Sequence, residues 1–238
     1  MNDKKHGYGT YTFKSGSKFE GDWVQDKRTG KGLFTWNDGK TYEGDWLNSK
    51  MHGFGTYTWL SGRRYVGMWE NDDMNGQCVD YMANGDRYEG TYKSDKRDGF
   101  GKMFYADGRY YEGMWKEGNK HGKGKFVLKS GDIYDGMWKD GNKDGRGTYY
   151  WTSTGGVYEG NWEDDKRSGF GKKTVNDGRY YEGDHEGSKM HGIGSYHWAN
   201  GTEYYGDWFE DDMHGKGRYF FVNGDIYDGD YVHDKRIG

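Results

Sequence analysis

The stretch YEGDWLNSKMHGFGTYTWLSGRR, residues 42–64, decides the fold. Within it Tyr42, Gly44 and Trp46 alternate with Glu43 and Asp45, while Gly55, Tyr57 and Trp59 alternate with Phe54, Thr56 and Thr58. A period of two is the signature of strands. The polar run 48–53 between the two alternating segments reads as a turn, and Ser61 with Gly62 as a second turn, so the stretch is a β-hairpin that hands the chain onward.

Outward from this stretch the same arrangement restarts at Phe19, Tyr65, Tyr88, Tyr111, Tyr134, Tyr158, Tyr181, Tyr204 and Tyr227, at a spacing of 23 residues and once 24. The extra residue falls in WTSTGGV, where a turn absorbs length cheaply. All but a few of the 44 glycines fall in four columns of this register. Every tryptophan falls in one of two, the fifth position (Trp23, Trp46, Trp69, Trp115, Trp138, Trp162, Trp208) or the eighteenth (Trp36, Trp59, Trp151, Trp198). Glycine shares a strand face with the rings, which lets a ring lie flat over the neighbouring strand where no Cβ obstructs it. One hairpin cannot fold alone, but stacked hairpins bury each other's rings. The expected fold is therefore all-β: an elongated, twisted, single-layer antiparallel meander of about ten hairpin repeats. It runs through residues 1–238 as one array, with a partial repeat at 1–18, nine full repeats over 19–226 and a partial repeat at 227–238.

Composition agrees with a ring-built core. Only 32% of residues are hydrophobic while 19% are aromatic, and there is no proline, so a Leu/Ile/Val globule is excluded. The net charge of −4 is spread, Lys/Arg alternating with Asp/Glu, and offers no basic stripe for nucleic acid. The single cysteine, Cys78, cannot form an internal disulfide, which suits a reducing compartment, and no apolar run reaches the length of a signal-peptide core or a membrane span. A cytoplasmic location follows as the expectation.

The segments YEGDW…SKMHGFGTYTW, YEGMW…NKHGKGKF and YDGMW…NKDGRGTYYW resemble the MORN (membrane occupation and recognition nexus) repeat, and the resemblance covers essentially the whole chain. Local departures are Cys78 for a paired glycine, Asp80 for an inward aromatic, and His185 for a tryptophan. The turns beginning at Asp26, Ser49, Asp72 and Asp95 recur from Asp165, Ser188, Asp211 and Asp234, which implies that a six-repeat block was duplicated. The resemblance implies three settings: a cytoskeletal or ciliary scaffold, an adaptor for a partner helix, or attachment to acidic or phosphoinositide membranes. In the turns Asp offsets Lys and Arg, as in Asp26-Lys27-Arg28, which favours protein partners over lipid.

Catalytic and metal chemistry find no foothold. The repeated Gly-x-Gly lacks the third glycine of a dinucleotide fingerprint and the Lys-Ser/Thr of a P-loop. His6, His52, His121, His191 and His214 stand in one turn column at repeat spacing, about 10 Å apart and too far to share a metal. Glu43, Glu89, Glu112, Glu159 and Glu182 occupy identical outer positions, with no asymmetric acid–base cluster. No enzyme, cofactor or metal is expected. The expected function is a scaffold whose aromatic, concave face seats an amphipathic helix or a cytoskeletal or axonemal component, with a groove at Trp23, Trp36, Trp46, Tyr57, Trp59, Tyr111, Trp115, Trp138 and Trp151. The alternative is a peripheral protein binding acidic phospholipids. The chain starts and stops mid-repeat, so a longer natural protein, or self-association through open strand edges, is also expected.

Overall fold

A computed structural model describes residues 4–237, and every regular element among them is a strand. The chain forms two compact units, Met1–Asn119 and Lys120–Gly238.

The first unit is a meander of the strands Gly7–Thr12, Lys18–Val24, Lys27–Thr35, Thr41–Leu47, Lys50–Thr58, Arg64–Glu70, Asp73–Tyr81, Arg87–Lys93, Lys96–Phe104 and Tyr110–Lys116. Each pairs antiparallel with the next in sequence. The second unit repeats the plan from the strand Asn119–Val127 to Lys235–Ile237, again with every strand antiparallel to its successor.

The hairpin turn is tighter than the polar run 48–53 suggests. Leu47 pairs with Lys50, so only Asn48 and Ser49 turn, with φ of 51° and 67°. Two successive left-handed residues make a turn whose twist matches that of the strands, and Asn, Asp and Ser tolerate the conformation. Residues 50–53 are strand. They reach register through a bulge at Asp45, where Gly44 faces Gly55 but Trp46 faces Met51. Gly53, at φ 61°, lies in the bulge, and a Cβ there would meet the Asp45 carboxylate at 2.7 Å. That carboxylate accepts the Phe54 N–H at 2.9 Å.

The bulge also explains the tyrosine column. It leaves the backbone carbonyl of the fourth position without a strand partner, and the tyrosine hydroxyl three residues earlier donates to it: Tyr42 to Asp45 O at 2.9 Å, Tyr65 to Met68 O at 2.9 Å, Tyr134 to Met137 O at 2.9 Å. These rings are fully buried, and burial pushes their phenols well above the ordinary range. Tyr134→Phe keeps the ring and removes the bond. It should cost about 1 kcal/mol in urea unfolding, and a loss under about 0.3 kcal/mol would show that water replaces the hydroxyl.

Successive hairpins are stapled through their turns. The N–H of Asp72 donates to Met51 O at 3.0 Å, and the Asp72 carboxylate accepts the Met51 N–H at 2.8 Å. The same pair of bonds joins Asp95 to Met74, Asp211 to Met190 and Asp234 to Met213.

Candidate functional site

Strand alternation gives each unit two faces. On one, the first- and fifth-position rings interlock edge to face: Tyr42 lies 5.1 Å from Trp46 at 88° and 5.4 Å from Trp69 at 81°, and Tyr134 stands in the same relation to Trp138 and Trp162. Positive ring edges against negative faces make this arrangement attractive beyond its burial. Each fifth-position tryptophan donates its indole N–H to a backbone carbonyl of the preceding hairpin, Trp46 to Gly32 O at 3.0 Å and Trp208 to Gly194 O at 3.1 Å. Where the tenth position is a cation it covers the ring, as Arg28 does over Trp46 at 4.3 Å and Arg97 over Trp115 at 4.4 Å, whereas in other repeats that position is Met, as at 51 and 190.

This packing sorts the nine expected groove residues into two tiers. Trp23, Trp46, Tyr111, Trp115 and Trp138 are buried in the ring core, none more than 6% exposed, and present no surface to a partner. Trp36, Tyr57, Trp59 and Trp151 are half-buried and reach the surface of the ring face. They pack on each other, Trp36 on Tyr57 at 5.2 Å and Tyr57 on Trp59 at 4.3 Å. The tiers follow from position: the fifth residue lies under its neighbour's tenth-position side chain, whereas the eighteenth lies at the strand end beside the open turn.

The opposite face has a feature that the ring pattern does not announce. There the glycine backbones form the floor of shallow troughs. In the first unit one trough of about 620 Å³ is lined by Tyr8, Glu20, Lys31, Leu33, Glu43 and Phe54 around Gly32 and Gly44. A second, of about 560 Å³, is lined by Phe54, Val66, Val79, Glu89, Phe100 and Lys102 around Gly90. Register places Phe54 opposite Met68, and Phe100 opposite Met114, with Val66 opposite Val79 in the adjoining row. Phe54 and Phe100 are each 52% exposed, and Met68 and Met114 are exposed beside them. In the second unit each equivalent pair includes a charged residue or faces a polar one: Lys123 opposite Met137, Arg146 opposite Asn161, Lys216 opposite Asp230, and the exposed Phe170 and Ile193 opposite Asp184 and Asp207. The sequence carried part of the signal for this patch, since the residue between the paired glycines is Phe at 54, 100 and 170 and Ile at 193 but Lys, Gln or Arg at 31, 77, 123, 146 and 216.

The expected outer carboxylates lie on this face too, and Glu89 and Glu112 pair with Arg87 and Lys102 at 3.0 Å. A model of the MORN repeat matches residues 1–18, 19–41, 42–62, 65–87, 88–108, 111–133, 134–155, 158–178, 181–203 and 204–226. The chain belongs to the MORN repeat family. No curated protein matches it in sequence. Among solved structures it is similar to the TCP10 domain of Danio rerio CPAP in complex with a STIL peptide, at 12% identity and TM-score 0.48 over 93% of this chain and 98% of that one. The SAS-4 TCP domain of Drosophila melanogaster, in complex with a proline-rich motif of Ana2, matches at 10% identity and TM-score 0.39 over 73% and 86%. Virginiamycin B lyase from Staphylococcus aureus matches at 12% identity and TM-score 0.18 over 97% and 85%.

The departures from the MORN pattern each have a structural consequence. Cys78 is buried, and desolvation pushes its thiol up to about 12, far from a reactive thiolate. Asp80, fully buried, accepts Arg63 Nε at 2.9 Å and Nη2 at 2.8 Å and the Tyr92 hydroxyl at 2.9 Å. His185 is buried where the other repeats have tryptophan or, at 92 and 231, tyrosine, its Nδ1 3.2 Å from Gly183 O and its Nε2 without a partner. Burial, then the charges of Arg167 and Lys173, lowers its pKa from 6.5 to about 4. A base depressed in the folded state adds stability that is complete above about pH 6.5 and is lost as pH falls toward 4, because the unfolded chain then binds the extra proton. Over that window wild type should lose stability faster than His185→Trp, by up to about 1.4 kcal/mol per pH unit. Urea midpoints at pH 7 and pH 4.5 test this, and equal slopes in the two proteins would reject it.

Proposed function

We propose that this MORN chain is a non-catalytic scaffold of cytoskeletal or ciliary assemblies in the cytoplasm, binding an amphipathic segment of a protein partner on the glycine-floored face of its first unit. The observation that carries the reading is the exposed patch of Phe54, Met68, Phe100 and Met114. Monomeric surfaces scatter such residues singly, whereas here two Phe–Met pairs flank one trough, with Val66 and Val79 in its lining, Gln77 and Thr91 between the pairs and charge at the rim, an arrangement suited to a peptide. Methionines beside phenylalanines supply adaptable apolar contact. The rim mixes Glu20, Glu43 and Glu89 with Lys31 and Lys102, which suits a partner carrying both signs and would repel an acidic membrane in part. The half-buried Trp36, Tyr57 and Trp59 on the ring face are a secondary contact in this reading.

A helical-peptide display selected on the wild-type chain tests it. The selected peptides should bind Phe54→Ser/Phe100→Ser at least about tenfold more weakly, as expected for losing two apolar anchors, and bind Lys123→Ser unchanged. Both phenylalanines are half exposed, so the double variant should retain its fold. If the peptides bind both variants equally, or if acidic liposomes capture all three proteins while no peptide is selected, the patch is not the site.

A further inference from the structure

The duplicated blocks supply an internal control for a second place, besides Asp80, where the ring core is replaced by charge. Residues 139 positions apart correspond across the blocks, so His185 takes the place of Trp46, Lys173 of Phe34 and Val175 of Trp36, while Arg167 and Asp211 repeat Arg28 and Asp72. In the first block Arg28 lies against rings on two sides, 4.3 Å from Trp46 and 4.8 Å from Phe34. In the second, three rings have been replaced by smaller or cationic side chains, and the space they would fill is a cavity of about 170 Å³. Arg167, Lys173, Val175, Arg179, His185 and Asp211 line it.

The charge in this cavity is unbalanced. Arg167 donates through Nη2 to Ser188 O, and Lys173 lies 5.8 Å from the Trp151 ring, yet among the described residues neither forms an ion pair. Arg179 is paired with Asp177 at 2.7 Å, and Asp211 is engaged by the Met190 N–H at 2.9 Å. His185, only 4% exposed, brings an imidazole Nε2 with no partner. The cavity thus brings together a buried imidazole nitrogen without a partner and two half-buried cations without an ion pair, all of which a bound anion would engage.

We propose that this cavity is a binding site for a phosphoryl group, held by Arg167 and Lys173 with His185 as a further donor once protonated. A carboxylate has two oxygens; the cavity offers a guanidinium, an ammonium and an imidazole, a set that a phosphoryl group with three oxygens uses more fully. Burial holds Arg167 and Lys173 below their ordinary values and Asp211 offsets this only in part, so a bound anion would favour their charged forms further. The site lies on the ring face of the second unit and is independent of the peptide patch.

The test uses two variants that restore the first block's residues, Lys173→Phe and His185→Trp, each checked for wild-type circular dichroism. Inorganic phosphate, titrated by calorimetry, should bind the wild-type chain and bind both variants at least about tenfold more weakly, the effect of deleting one charged hydrogen bond. No binding to wild type, or equal binding to all three, would overturn the proposal. So would acetate binding as tightly as phosphate. Sedimentation with phosphatidylcholine vesicles carrying a phosphatidylinositol monophosphate separates the sources: capture lost in both variants assigns the group to a lipid, and no capture beside phosphate binding assigns it to a soluble or protein-borne phosphate.

Discussion

Gly44→Ala should destabilise the chain by about 3 kcal/mol or more, the upper end of what overpacking costs in a close-packed interior. A Cβ at Gly44 would stand 2.4 Å from the Gly55 Cα, 2.6 Å from the Phe54 carbonyl oxygen and 2.8 Å from the Tyr42 hydroxyl. Two of those atoms are backbone, so no rotamer change relieves the contact and two paired strands must separate. Separation would also pull the Tyr42 ring from the surface on which it lies, since a Cβ at Gly55 would come within 2.5 Å of that ring. Gly9→Ala is the control: its Cβ would have nothing within 4 Å, so its effect should stay below about 0.5 kcal/mol. Urea unfolding followed by tryptophan fluorescence measures both. Equal losses would show that glycine matters through chain entropy and not through ring packing.

Asp80→Ala should cost about 3 kcal/mol, because it strips the acceptor from both the Arg63 guanidinium and the Tyr92 hydroxyl. Arg63 is partly exposed and can turn toward water, which keeps the loss from the top of the range for a broken buried pair. Tyr92 has no such escape. The combined change Cys78→Gly/Asp80→Tyr/Tyr92→Trp rebuilds the Gly55, Tyr57 and Trp69 arrangement of the preceding hairpin and should restore stability to within about 1 kcal/mol of wild type. Arg63 would keep its place 4.4 Å from the Trp59 ring. Thermal and urea unfolding of the single and triple variants test the pair. A harmless Asp80→Ala would mean that the network adds no net stability.

The repeat, its strands and the ring core were legible from residues 42–64 outward because each depends on local rules: period two along a strand, turn residues that accept φ > 0, and glycine wherever a ring needs room. The tyrosine hydroxyl on the bulge carbonyl was not legible. Nothing in YEGDW states that the partner strand contributes three residues against Asp45. The same bulge is why 50–53, polar enough to read as turn, are strand.

Membership of a ring face could be read along the chain, but exposure on that face could not. Trp46 and Trp36 look alike in sequence and differ in burial, because burial depends on which neighbouring hairpin covers the ring, and only stacking decides that. The troughs with Phe54 and Phe100, and the cavity at His185, belong to the same class. Each is made of side chains from several hairpins, so its residues are scattered through the sequence. The sequence by itself determined the hairpin, its repeat and the pairing of glycine with ring, since these are nearest-neighbour matters of sterics and periodicity. Tertiary structure alone decided which face stays open and where charge meets empty space, because accessibility is a property of the stacked array and not of any one repeat.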